Sequence, residues 1–230
     1  MRTVAQGVHQ ISRGVNVFIV DGDEGVVLID SGLPGRHGAI AAGLDGIGRT
    51  LDDVAAILLT HAHLDHVGGA AALREASGAT VMASAEDAPA VRGEVRKSPP
   101  PFVGKVPFLT PVFRLVPSGR PVVVDREVAE GRIEGLPEDL MVVATPGHTI
   151  GHVSYLLDRS GGVLFVGDAA VRTRSGGVAR GWMNRATPVF DASLRRLARE
   201  DFSVACFGHS APIEVDAASA FRRLATTLRS

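Results

Sequence analysis

Three histidines and an aspartate fall within six residues in the run Thr60-His61-Ala62-His63-Leu64-Asp65-His66. Imidazole nitrogens and carboxylate oxygens are the donors that hold a divalent cation. In an extended chain, side-chain direction repeats every two residues, so His61 and His63 face the same way and can chelate one ion. Where the chain then turns into a helix, Asp65 and His66 fall on its first turn and face a second position. Gly68-Gly69 lets that turn pack closely against a neighbouring strand. A purely structural role is the weaker reading, because burying this cluster without a cation leaves polar groups unpaired at ~1–3 kcal/mol each. Three more ligand-capable side chains stand just past strand-like runs, each with a glycine beside it: His148 in Thr145-Pro146-Gly147-His148-Thr149, Asp168 in Gly167-Asp168, and His209 in Gly208-His209-Ser210. Each is weak alone; together with the first run they form one donor set.

These residues need strand ends to hold them. Val15 to Val20 and Val26 to Asp30 read as strands, joined as a hairpin through Asp21-Gly22-Asp23-Glu24-Gly25. Pro34 to Leu44 reads as a helix. Ala55 to Leu59 reads as a buried strand that delivers the histidine run, and Val67 to Ala76 as the helix that leaves it. Further strands are expected at Thr80 to Ala83, Arg120 to Val124, Leu140 to Ala144, His152 to Leu157, Val163 to Val166 and Ser203 to Phe207. Thr187 reads as the N-cap, and Pro188 as the first residue, of a helix whose apolar face is Phe190, Leu194 and Leu197. Val215 to Leu228 reads as the last helix.

Gly93 to Gly119 carries six prolines interleaved with Phe102, Phe108 and Phe113, with no clean period. It is either a surface connection with anchoring aromatics or a lid over an apolar substrate. Trp182 and Met183 are candidates to line an apolar pocket with Phe102 and Phe108. Arg172 and Arg174 are candidates for an anionic substrate or for a solvated loop. His152 is expected to support its neighbours rather than ligate, Cys206 to pack in the core, and His9 and His37 to lie on the surface.

The bulk composition narrows the classes. The chain has 230 residues, 45% hydrophobic and 21% charged, which suits a single domain with a large core. Its 24 basic and 25 acidic residues leave a formal charge of -1, which gives no pull toward nucleic acid or an anionic membrane. With one cysteine, no internal disulfide and no cysteine-based zinc set can form. Met1 to Gly14 has no signal-like apolar core, and no apolar run reaches the ~20 residues of a membrane span. The expectation is a cytoplasmic protein that meets a small-molecule substrate; a homodimer is left open.

On His61, His63, Asp65, His66, His148, Asp168 and His209 the sequence resembles the metallo-β-lactamase-fold hydrolases, over nearly the whole chain. The resemblance implies an α/β (α+β) architecture, a four-layer αββα sandwich with two metals at one edge of the paired sheets. It implies that His61, His63 and His148 hold the first metal, that Asp65, His66 and His209 hold the second, and that Asp168 bridges both. Zinc is the default for this donor chemistry, with iron or manganese also suited. The implied reaction is hydrolysis of an ester-like carbonyl (lactone, ester or thioester) through a metal-bridging hydroxide, with Asp65 and Asp168 as catalytic groups. The β-lactamases of this fold usually lack an aspartate at the Asp168 position. Hydroxyacylglutathione hydrolases carry an added C-terminal helical region that helps bind glutathione, and with about twenty residues after His209 glutathione specificity is not the expectation here. The similar lactonases often have tyrosine where this chain has Val171. The alternatives are a β-lactamase, a mononuclear iron oxidoreductase resembling the persulfide dioxygenases through His61, His148 and Asp168, or a non-catalytic scaffold. Degenerate scaffolds typically lose ligands, and none of the seven is missing here.

Overall fold

In a computed structural model, residues 1–95, 119–181 and 187–228 are described. Phe102, Phe108, Phe113, Trp182 and Met183, and with them most of the segment read as a connection or lid, lie outside the described residues.

Two sheets face each other. The first runs in chain order: β1 (Arg2–Ala5), β2 (Val8–Ser12), β3 (Asn16–Gly22), β4 (Gly25–Ile29), β5 (Val54–Leu58), β6 (Thr80–Ser84) and β7 (Arg126–Val128). Its first four strands pair antiparallel and the rest parallel. The expected hairpin is β3–β4, closed tightly at the pair Gly22–Gly25. The second sheet comprises β8 (Gly131–Arg132), β9 (Leu140–Ala144), β10 (Val153–Leu157), β11 (Val163–Gly167) and, after a small ribbon of β12 (Ala170–Arg172) and β13 (Val178–Arg180), β14 (Val204–Phe207). Its order is β14-β11-β10-β9-β8, with β11 and β14 parallel.

Helices cover both outer faces. Helix α1 (His37–Asp45), α2 (Leu64–Val67), α3 (Ala70–Ser77) and α4 (Ala88–Val91) belong to the first half; α5 (Thr187–Leu197) and α6 (Ala217–Thr227) belong to the second. Three apolar layers result. Ile40, Leu44 and Leu73 pack onto Ile19, Leu28 and Ile57 of the first sheet. Phe18, Ile29 and Leu58 meet Tyr155, Phe165 and Cys206 between the sheets. Leu164, Val166 and Phe207 meet Phe190, Leu194 and Phe221 on the far side. This is the αββα sandwich. No helix among the described residues is long and apolar enough to cross a membrane.

The structure corrects several boundaries. The helix expected from Val67 is two helices broken at Gly68-Gly69. A Cβ on Gly68 would lie 2.4 Å from Pro34 Cδ, and one on Gly69 2.2 Å from the Ser31 carbonyl oxygen. The first helix starts at His37 rather than Pro34, because Gly35 takes a left-handed φ of 74°. Residues 120–124 form no strand. They alternate as one would, with Val122 and Val124 buried and Val123 exposed. The Val122 N–H, however, goes to the Val91 carbonyl at the end of α4 instead of a neighbouring strand. Helix α5 already includes Thr187, so that residue is not its N-cap. Strands β1, β2, β7, β8, β12 and β13 are additional; they are short and polar enough to carry little periodic signal.

Candidate metal centre

The seven donor residues converge at one edge of the two sheets. Strand β5 ends at Leu58, and the chain beyond it is fixed by three bonds from backbone N–H groups: Leu59 to the Met82 carbonyl, Thr60 to the Asp30 carboxylate, and Val153 to the Thr60 carbonyl. His61 and His63 then project together, with His61 Nε2 3.0 Å from His63 Nδ1. His148, on the turn after β9, brings its Nε2 to 3.0 Å from the same His63 nitrogen. The turn is tight: Gly147 has φ +134°, and a Cβ there would meet Phe190 atoms at 2.7–2.9 Å. These three nitrogens form one set.

The second set is Asp65, His66 and His209. Helix α2 carries Asp65 and His66 on its single turn. Strand β14 delivers Gly208-His209 beside Gly167-Asp168, because β11 and β14 run parallel and the Gly208 N–H bonds the Gly167 carbonyl. Asp65 Oδ2 lies 3.1 Å from His209 Nε2. Asp168 stands between the sets. Its Oδ2 is 3.4 Å from His148 Nε2 and 3.3 Å from His209 Nε2, and its Oδ1 is 3.5 Å from His66 Nε2. His61 and His148 are buried, whereas the side chains of Asp65 and His209 are 34% and 31% exposed, so the edge opens on the second set.

Hydrogen bonds decide which nitrogen several of the imidazoles offer. The Thr60 hydroxyl donates to Asp30 and accepts from His61 Nδ1–H, which presents His61 Nε2. His66 Nδ1–H donates to Asp30 Oδ2 at 2.7 Å, which presents Nε2. His209 Nδ1–H reaches the Gly14 carbonyl at 3.3 Å, again presenting Nε2. Burial drives His61 well below the ordinary imidazole range, with His66 and His148 adding to it. Burial and then His148 lower His63 to about 4. For His66 burial also works downward, but the charges of Asp30 and Asp168 outweigh it and raise it to about 9. Hydrogen bonds to Asp168 and Asp65 raise His209 to about 10. Burial works upward on Asp65, yet the His209 hydrogen bond and the His66 charge hold it at about 2. Asp168 is held below the carboxylate range by His66 and His209 against the same upward pull of burial.

This donor set fits cations. Ligand atoms around a tetrahedral ion at ~2.0–2.1 Å lie about 3.3 Å from one another. Contacts of 3.0 Å between imidazole nitrogens, beside carboxylate oxygens at 3.1–3.5 Å, describe that spacing.

The spacing of residue types leaves the supporting frame hidden. Asp30 holds Thr60 and His66 at once from a left-handed φ of 62°, a conformation that persists only where the surroundings over-determine it. Buried Asn16 donates through Nδ2 to the carbonyls of Phe207 and Ser210, on either side of His209. Buried Asp87 accepts from Ala62 and Thr149, and burial pushes its carboxyl up despite those bonds. The one sequence cue among these is the Asp-Ser-Gly that closes β4. His152, expected in a supporting role, accepts the Asp168 N–H on Nε2 at 3.0 Å and lies 2.8 Å through Nδ1 from Thr145 Oγ1. Cys206 is fully buried in the central layer. The Arg172 guanidinium donates to the Pro212 carbonyl, and Arg174 and His37 are exposed; His9 is half-buried beside Thr3.

A family model of the metallo-beta-lactamase superfamily matches residues 12–209, a span that includes all seven donors. The chain belongs to the metallo-β-lactamase superfamily. Among superfamily members, a hydroxyacylglutathione hydrolase of Cereibacter sphaeroides is 36% identical over 156 residues, 66% of this chain and 47% of that protein. A Bacillus subtilis protein bearing the name "Probable metallo-hydrolase YflN" is 34% identical over 182 residues, 73% of this chain and 65% of its own. The chain thus spans roughly half to two thirds of these relatives. Among solved structures, the Rm3 metallo-beta-lactamase superposes with a TM-score of 0.75 at 26% identity, covering 96% of this chain and 89% of that one. The metallo-beta-lactamase family protein TTHA1429 of Thermus thermophilus gives 0.71 at 26% identity, covering 97% and 80%.

Proposed function

We propose that the protein is a dinuclear metal-dependent hydrolase of an ester-like carbonyl bond in a small molecule: a lactone, an ester or a thioester. The observation that carries the reading is the placement of Asp168. One carboxylate lies within 3.5 Å of nitrogens from both histidine sets, where it could be shared by two cations. His61, His63 and His148 would hold the first cation, and Asp65, His66 and His209 the second. Zinc suits these donors best, with iron and manganese also compatible. Two bound divalent ions supply Lewis acidity and an acidified water, so the protein need provide no serine or cysteine nucleophile.

The chain's own residues supply the rest. Asp65, with its side chain one-third exposed at the open edge, stands where its carboxylate could take and return a proton. Burial of His61 and His63 keeps those imidazoles neutral and ready to ligate, and His148 is buried beside them. Asp30 and His152 hold His66 and Asp168 in place. The hydroxyacylglutathione hydrolase relatives favour an acyl-transfer substrate by their name, and the Asp168 carboxylate favours the same branch over β-lactams.

The test is a hydrolysis panel of lactones, aryl esters, thioesters and β-lactams on metal-replete protein, with metal counted in parallel. Two divalent ions per chain and fastest turnover on one of the first three classes are expected. His63→Ala and Asp168→Ala should each lose at least roughly 100-fold in activity. Full activity and metal content in both variants would overturn the reading, as would one iron per chain with oxygen uptake on a persulfide.

A further inference from the structure

The three histidines of the first set reach it on two different loops, and one buried carboxylate ties those loops together. Asp87 follows β6 and stands at the N-cap position of α4, where an aspartate ordinarily turns its carboxylate onto the helix's own N–H groups. Here no side-chain cap bond forms. Asp87 Oδ2 instead accepts from the Ala62 N–H at 2.9 Å and from the Thr149 hydroxyl at 2.8 Å, and Oδ1 accepts from the Gly151 N–H at 3.1 Å. Ala62 lies between His61 and His63; Thr149 follows His148. Ser84 completes the join by donating to the Gly151 carbonyl at 2.6 Å. A Cβ on Gly151 would meet Asp87 Oδ1 at 2.7 Å, so the loop approaches as closely as glycine allows.

We infer that Asp87 is a positioning residue for the first metal position, fixing the separation between the His61–His63 loop and the His148 loop. The inference rests on the two-metal reading above. Asp87 makes no bond to the Asp65, His66 and His209 set, so its influence is selective. Asn16 supplies the contrast, since its two carbonyl contacts flank His209 on the second position.

The experiment loads wild type, Asp87→Ala, Asp87→Asn, Thr149→Val and Asn16→Ala with cobalt(II), then titrates each with a competing chelator. Metal content and cobalt ligand-field bands are followed. His63→Ala and His209→Ala provide the spectra of protein lacking the first or the second position. Asp87→Ala should weaken the first position by roughly 10–100-fold and leave the second near wild type. Asp87→Asn should fall between, because an amide oxygen can still serve Ala62 and Thr149 while its NH2 faces the Gly151 donor. Thr149→Val, which deletes one donor, should shift the same position less and covers the case in which Asp87→Ala does not fold. Asn16→Ala should weaken the second position instead. Equal weakening of both positions in the Asp87 and Thr149 variants, or wild-type affinity at the first, would overturn the assignment. Wild-type protein that binds fewer than two ions would overturn the two-metal reading itself, and this inference with it.

Discussion

The carboxylates of Asp30, Asp65 and Asp168 favour the protonated forms of His66 and His209, and a cation that takes their nitrogens must displace those protons. Both are raised, to about 9 and about 10, whereas His63 is lowered to about 4 and already neutral near neutral pH. The sign follows: filling the Asp65, His66 and His209 set should release up to two protons near neutral pH, and His61 and His63 should contribute none. Calorimetric zinc titrations in buffers of different ionisation enthalpy read that release, which should vanish above about pH 10; release confined to the first position would contradict the account. The glycines beside the donors act by space. A Cβ on Gly208 would sit 2.2 Å from Asp168 Oδ1 and 2.9 Å from His66 Cε1. On the two-metal reading, Gly208→Ala should therefore lose cation affinity at the Asp65, His66 and His209 set and most hydrolytic activity while keeping its circular dichroism. The convergence of the seven residues at the sheet edge was legible because each is a chemically distinctive residue just past a strand-like run. Asp30, Asp87 and Asn16 were not, because their partners lie dozens of positions away and aspartate or asparagine in a loop is usually just a turn former.

At the scale of elements, periodicity located the strands that hold the site and missed those that only widen the sheets. Strands β5, β9, β11 and β14 are dense in buried β-branched, leucine and phenylalanine residues, and their ends carry the residues of the site. Residues 120–124 alternate convincingly, yet alternation reports burial and not the identity of the hydrogen-bonding partner; the chain first meets β6 at Asp125, whose N–H donates to the Val81 carbonyl, and pairs with it as a strand from Arg126. Helix α1 leaves one element open to improvement. Gly38 sits near its start, exposed, with nothing within 4 Å of the place an added methyl group would take. Gly38→Ala should stabilise the protein by about 0.4–1 kcal/mol, read as a raised denaturation midpoint, without altering activity.

At the scale of the whole molecule, the first half supplies His61, His63, Asp65 and His66, and the second supplies His148, Asp168 and His209. Cations held between them, as proposed, would bind the folded chain alone, so removing them should cost stability everywhere at once. With metal at about a thousand times its dissociation constant, the linkage is about 4 kcal/mol, or roughly 10 °C in the melting midpoint of a chain this size. Scanning calorimetry with and without a chelator measures it; an unchanged midpoint would count against cations spanning the halves. The bonds from Asn16 to the His209 loop join residues 191 and 194 positions apart. Closing so long a loop is entropically costly, and contacts of this separation slow folding. The His209 corner should therefore assemble late: in refolding, helix content is expected to return first and the capacity to hold a cation beside His209 only later, so metal uptake would serve as the clock for the closing of the edge.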